Sequence, residues 1–180
     1  MGQTDFPTGE GPDLIFVQAK DAALRLLAYR ARSEAEVRRR LSQRYPPDII
    51  EKVIASLRGS GRLNDEAFSQ FWVKNREQHR PRGQRLIRQE LLHLGVSGDV
   101  IRETLEGFDE EANAYHAGRK VAQRLASKSD SEEKFRQRVW EHLKRRGFGH
   151  AVTVETVNQL WRELGTDFLH RQDYAKDDEE

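Results

Sequence analysis

The sequence predicts an all-α protein built from three tandem three-helix, helix-turn-helix-like repeats of about 45–50 residues. Three observations carry this. Apolar residues recur at helical spacing in a chain that is 36% apolar and 34% charged, and long strand-like alternation is missing. Proline and glycine are sparse and fall at boundaries. Finally, a two-helix segment recurs. Residues 33-SEAEVRRRL-41 lie over 83-GQRLIRQEL-91, with Ser33 on Gly83, Val37 on Ile87 and Leu41 on Leu91. After each comes a matching helix, 48-DIIEKVIASL-57 and 99-DVIRETLEGF-108. One short helix cannot hide its apolar stripe alone, so the three helices of a repeat must pack together.

The elements follow in order. Residues 1–20 read as a flexible or weakly docked leader, with 14-LIFV-17 as a short extended or docked segment. Repeat 1 spans 21–63. Its inward stripes are Leu24, Leu27 and Ala28, then Val37 and Leu41, then Ile50, Val53, Ile54 and Leu57. Ser33 and Glu36 have the S-x-x-E spacing of a capping box, and Pro46-Pro47-Asp48 opens the third helix. Repeat 2 spans 64–109. Asn64 caps a helix from Asp65, Phe68 and Trp72 fill its core with Phe71 nearby, and Pro81-Arg82-Gly83 leads into Ile87 and Leu91. Gly95 stops that helix, as Gly147 does in repeat 3. Repeat 3, spanning 110–165, is looser; Val139 and Leu143 take the places of Val37 and Leu41, and 126-ASKSD-130 is a polar loop. Residues 166–180 form an acidic tail.

Several classes are excluded. There is no cysteine, so disulfides, thiol catalysis and Cys-ligated metals drop out. No apolar run approaches the roughly 20 residues of a membrane span, and the N-terminus lacks the pattern of a signal peptide. A cytoplasmic location is expected. Neither H-E-x-x-H nor a phosphate loop occurs, the six histidines are scattered, and 58-RGSGRL-63 is an interhelix turn. No catalytic residue, metal or cofactor is assigned, and a non-enzymatic role is expected.

The charge points elsewhere. The formal net charge is only +1, yet residues 21–63 carry ten Lys/Arg against five Asp/Glu, and residues 74–102 carry seven against three. With Val37 and Leu41 inward, Arg38, Arg39 and Arg40 fan over the solvent side and Arg44 follows one turn on. Lys74, Arg76, Arg80, Arg82, Arg85 and Arg88 form the densest patch, and Lys144, Arg145 and Arg146 close the corresponding helix of repeat 3. Such faces suit a polyanion or a negatively charged protein groove. The plain alternative is a solvated basic surface neutralised by nearby glutamates. Tyr29 and Tyr45 read first as core-edge residues, with base stacking as the alternative.

The runs 22-AALRLLAYRARSEAEVRRRL-41, 57-LRGSGRLNDEAFSQFWVKNR-76 and 82-RGQRLIRQELLHLGV-96 resemble the RecX family, the bacterial regulators of the RecA recombinase. The resemblance covers about residues 20–165 and is strongest over 22–105. It implies an elongated, curved array of three-helix repeats that binds RecA–DNA filaments in their groove. Such binding limits filament growth or promotes disassembly, and so reduces strand exchange, ATP hydrolysis and SOS co-protease activity. It also implies direct binding to single- or double-stranded DNA, and no enzymatic activity or cofactor. The family pattern lands on Leu24, Leu27, Arg30, Arg32, Ser33, Glu36 and Leu41; on Gly61, Leu63, Asp65 and Phe68; and on Arg76, Gly83, Ile87, Glu90, Leu91, Gly95 and Val96. Most of these are folding residues. Arg30, Arg32 and Arg76 are either contact residues or bridges to Glu36 and Glu90. The chain departs from the pattern at Tyr45-Pro46-Pro47 and matches it only weakly in repeat 3. Two other functions stay open, a DNA-binding module that competes with RecA for DNA and a helical scaffold for another acidic protein. A monomer is expected, because intrachain packing can bury every stripe.

Overall fold

The structure, a computed structural model, describes residues 11–126 and 131–165. The leader up to residue 10, the loop 127–130 and the acidic tail lie outside these residues. The described elements are all helical: α1 (Pro12–Tyr29), α2 (Glu34–Leu41), α3 (Pro47–Gly59), α4 (Asp65–His79), α5 (Gln84–His93), α6 (Gly98–Thr104), α7 (Glu110–Ala126), α8 (Glu132–Arg145) and α9 (His150–Leu164). They gather into two compact units. Of the described residues, unit 1 takes those through Trp72 together with Glu90–Thr104, and unit 2 takes Val73–Gln89 and those from Leu105 onward. Repeats 1 and 3 each fall within one unit, while α4 and α5 give one end to each.

In unit 1, α1 begins well ahead of the Asp21 start that the sequence suggests. Pro12 sits in its first turn behind Gly11, with Asp13 beside it, a favourable start for a helix. The segment 14-LIFV-17 is therefore helical rather than extended: Ile15 and Phe16 pack on the core while Leu14 and Val17 face out. Beneath lie Ala19 and Ala23 from α1, Val37 and Leu41 from α2, and Ile50, Val53, Ile54 and Leu57 from α3, all essentially buried. Each buried Val, Leu or Ile among these contributes about 1.5–3 kcal/mol by leaving water, before chain entropy is counted. Two aromatic residues depart from expectation. Tyr29 is 85% exposed because α1 ends on it and no further turn covers it. Trp72 is only half-buried, its indole N–H donating to Glu90 Oε2 at 2.8 Å, while Phe71 faces out.

In unit 2, α7 packs on α8 and α9 around Phe135, Val139, Leu143, Phe148, Val157 and Leu160. Gly118 lets α7 and α9 meet closely, since a Cβ there would lie 2.7 Å from Leu160 Cδ1.

Each unit contains a repeat-to-repeat junction, and the two share one pattern. In unit 1 the Ser33 hydroxyl donates to Leu94 O, and the Glu34 N–H donates to Asp65 Oδ1 at 2.8 Å. In unit 2 the Gly83 N–H donates to Arg146 O at 2.9 Å, and the Gln84 N–H donates to Glu110 Oε1 at 3.1 Å. Thus the start of a repeat's second helix is satisfied by the next repeat, through a helix-ending carbonyl and the first carboxylate of its first helix. The carbonyl precedes a left-handed glycine in both cases, Gly95 at φ 82° and Gly147 at φ 81°. Val96 N–H to Leu91 O and Phe148 N–H to Leu143 O complete the helix stops.

Candidate functional site

The candidate arginines of unit 1 divide by what holds them. Ser33 caps α2 and Glu36 completes the box: the Glu36 N–H donates to Ser33 Oγ at 3.2 Å and the Ser33 N–H to Glu36 Oε2 at 3.3 Å. Glu36 is only 4% exposed and carries two guanidinium groups, Arg30 by paired hydrogen bonds and Arg32 at 3.7 Å. Burial alone would raise the Glu36 carboxyl, but hydrogen bonds from Arg30 and the Ser33 N–H, with the charges of Arg30 and Arg32, hold it below the usual carboxylate range. Arg32 also donates to Leu26 O at 3.2 Å, and its side chain is 12% exposed. Arg30 and Arg32 thus tie the α1–α2 turn to α2. Arg38 is engaged as well, between Glu34 at 2.7 Å and Glu51 at 2.8 Å.

Arg39, Arg40 and Arg44 are different. All three are exposed, and no ion pair or hydrogen bond holds their side chains among the described residues. Arg40 and Arg44 line a cleft of about 500 Å³ with Arg25, Arg32, Tyr29 and Tyr45. No carboxylate among the described residues lines it. Arg25 and Tyr29 stand one turn apart on α1, so an exposed guanidinium and an exposed phenol share one rim. Sequence reasoning passed over Arg25; its i, i+4 spacing from Tyr29 was the available signal.

In unit 2, Arg85 and Arg88 on α5 and Lys144 on α8 line one cleft of about 470 Å³. Its only carboxylate is Glu110, which already accepts from the Gln84 N–H. Lys144 lies 5.3 Å from the Trp140 ring centroid, a cation–π distance. Arg146 is half-buried and donates to Pro81 O at 3.0 Å, so it is partly structural. Lys74, Arg80 and Arg145 are exposed, while Arg76 and Arg82 are half-covered and have interaction partners. The structure therefore does not bring the unit 2 candidates into one site. Among the described residues no group of three or more His, Cys, Asp or Glu is placed to hold a metal, and no helix is long and apolar enough to cross a membrane.

Comparison with known proteins places these features. The family model for the first three-helix domain of RecX matches residues 19–57, and that for the second matches residues 64–105. The regulatory protein RecX of Mycolicibacterium smegmatis is 32% identical over 164 residues, covering 86% of this chain and 87% of that protein. The chain belongs to the RecX family. The regulatory protein RecX of Mycobacterium avium is 35% identical over 143 residues, covering 78% of this chain and 83% of its own. The fold is shared with the crystal structure of RecX from Lactobacillus salivarius, at TM-score 0.72 and 21% identity over 81% of this chain and 96% of that one. The RecX fold is thus all-α with repeated three-helix units, and these relatives are named regulatory proteins.

Proposed function

We propose that this RecX-family protein acts in the cytoplasm, as a monomer, on a RecA–DNA filament. It seats in the filament groove and limits growth or promotes disassembly, so that strand exchange, ATP hydrolysis and co-protease activity fall. The observation that supports this reading is the carboxylate-free cleft of α1 and α2, with Arg39, Arg40 and Arg44 free beside it. Free guanidinium groups can meet acidic protein surface or phosphate without first breaking an internal ion pair. Arg38 is a poor probe of this surface, because its removal would also release Glu34 and Glu51.

The test adds the protein substoichiometrically to preformed RecA filaments and follows ssDNA-dependent ATP hydrolysis. A progressive fall is expected. An Arg39→Gln/Arg40→Gln/Arg44→Gln variant, folded by circular dichroism, should need about tenfold more protein or beyond, at roughly 0.5–1 kcal/mol per rim charge. Its deficit should shrink as salt rises. Equal potency of the variant and the parent at every salt concentration would sink the reading.

Competition for DNA is the second reading, and the exposure of Tyr29 favours it. A ring 85% exposed beside Arg25, Arg40 and Arg44 is arranged as a stacking platform for an unpaired base. On this reading Tyr29→Ala weakens binding to a bare single-stranded oligonucleotide by about tenfold, with Tyr29→Phe near the parent. Loss of DNA binding with full substoichiometric inhibition of filaments would separate the two.

A further inference from the structure

Unit 2 holds a second concave basic region, to which the candidate arginines contribute only Arg146. The end of α4, the turn at Pro81, the middle of α7 and the end of α8 border an open cavity of about 710 Å³. Its walls carry three histidines, His79, His116 and His142, with Arg119, Lys120 and Arg146. Arg124 lines it too, and no aspartate or glutamate does. Like charges converge on one hollow only at a cost, because each disfavours the charge of the next. For Arg146 the cost is chiefly burial, with Arg82, Arg145 and Arg80, which lie outside the cavity lining, adding to a weaker hold on its proton.

His142 records the same imbalance. Its imidazole hydrogen-bonds the Ala117 backbone, and its Nε2 is buried with no partner. Burial first, then Arg146, Arg145 and Arg124, keeps it below the usual histidine range. Glu141, its neighbour on α8, lines the adjoining cleft with Arg124, Arg138 and Arg145 rather than this cavity. No carboxylate among the described residues lines the cavity, although Glu163 feels the charge of Arg119 from outside it, and the volume falls in the range of small-ligand sites, roughly 300–1,000 Å³.

We propose that this cavity is a binding site for a phosphate-type anion, held by Arg119 and Lys120 on α7 with His116 and His142, and closed by Arg146. Free diphosphate or triphosphate groups and a nucleic-acid backbone present the same oxygens, so either can be the source. The site uses no residue of the α1–α2 cleft.

The test titrates the full chain with inorganic pyrophosphate at constant ionic strength, and separately with a short oligothymidylate. The imidazole C–H resonances of His79, His116 and His142 are the readout, with His93 as the reference outside the cavity. Saturable shifts at the cavity histidines are expected, with His93 still. Arg119→Gln/Lys120→Gln, both exposed positions, should weaken binding roughly tenfold or more. Bound anion should also raise the pH at which His142 titrates. Saturation by pyrophosphate assigns a free anion, and saturation by the oligonucleotide alone assigns a strand backbone. The proposal is overturned if neither probe saturates, if His93 shifts in parallel, or if the double variant binds as the parent does. Arg39→Gln/Arg40→Gln/Arg44→Gln should leave these shifts unchanged, so failure here and failure of the filament reading are told apart.

Discussion

Replacing Gly83 with alanine is expected to destabilise the protein by about 2–4 kcal/mol. The same replacement at Gly59 should stabilise it by about 0.4–1 kcal/mol. A Cβ at position 83 would fall on the carbonyl of Gly147 and 2.6 Å from Phe148 N. These are backbone atoms, so no rotamer change relieves the clash. The start of α5 would have to move off the end of α8. That motion stretches the Gly83 N–H to Arg146 O bond at 2.9 Å, the Arg146 to Pro81 O bond at 3.0 Å and the Asn113 to Arg82 O bond at 2.7 Å. At Gly59, helical and with nothing within 4 Å of the added carbon, alanine only reduces the freedom of the unfolded chain. Urea unfolding followed by the fluorescence of Trp140 and Trp161, which flank the unit 2 core, reads the difference. A Gly83→Ala midpoint matching that of the parent would show that the close approach carries no stability.

The repeats were legible in the sequence because helix stops and core positions keep one spacing: Gly95 and Gly147 follow Leu91 and Leu143 by the same interval. The capping box was legible because S-x-x-E is a local pattern whose partners lie within one turn. The start of α1 was not. Four apolar residues in a row, 14-LIFV-17, carry no helical period, and only the packing of Ile15 and Phe16 on α1's own core sets them in a helix. Tyr29 was misread for a related reason. Apolar spacing along α1 continues to it, but the helix ends there and leaves it uncovered.

The arginine surface was half legible. A helical wheel places Arg38, Arg39 and Arg40 outward together, but it cannot say that Glu51, on the next helix, takes Arg38 and leaves the other two. Junction hydrogen bonds such as Glu34 N–H to Asp65 are longer in range still, and Asp65 suggested itself only as a capping or anchoring residue. The basic cavity of unit 2 had no signal at all, since His79, His116 and His142 are scattered along the sequence and meet only through the fold.

Glu36→Ala should destabilise unit 1 by about 2–4 kcal/mol. It removes the α2 cap's reciprocal bond and leaves Arg32, 12% exposed, without its carboxylate. Glu36→Gln keeps the size and can still accept from the Ser33 N–H, so it should lose about half as much. The pH dependence fixes the sign. The folded Glu36 carboxyl lies below its unfolded range, so its contribution is fully present above the unfolded value. It is lost as pH falls through the lowered value, from about pH 5 downward. Asp65 runs the other way: burial raises its carboxyl, so its titration favours the folded state on the acid side. An Asp65→Asn background removes this opposing contribution; Glu51 and Glu163 are also held low, so the Glu36 share is read as the difference between parent and Glu36→Gln. In that background, stability should decline with acid in the parent and decline less in the Glu36→Gln variant. Equal acid dependence of the two would mean that the Arg30–Glu36–Arg32 cluster does not hold the α1–α2 turn by charge, and that its contribution lies in the cap and in packing alone.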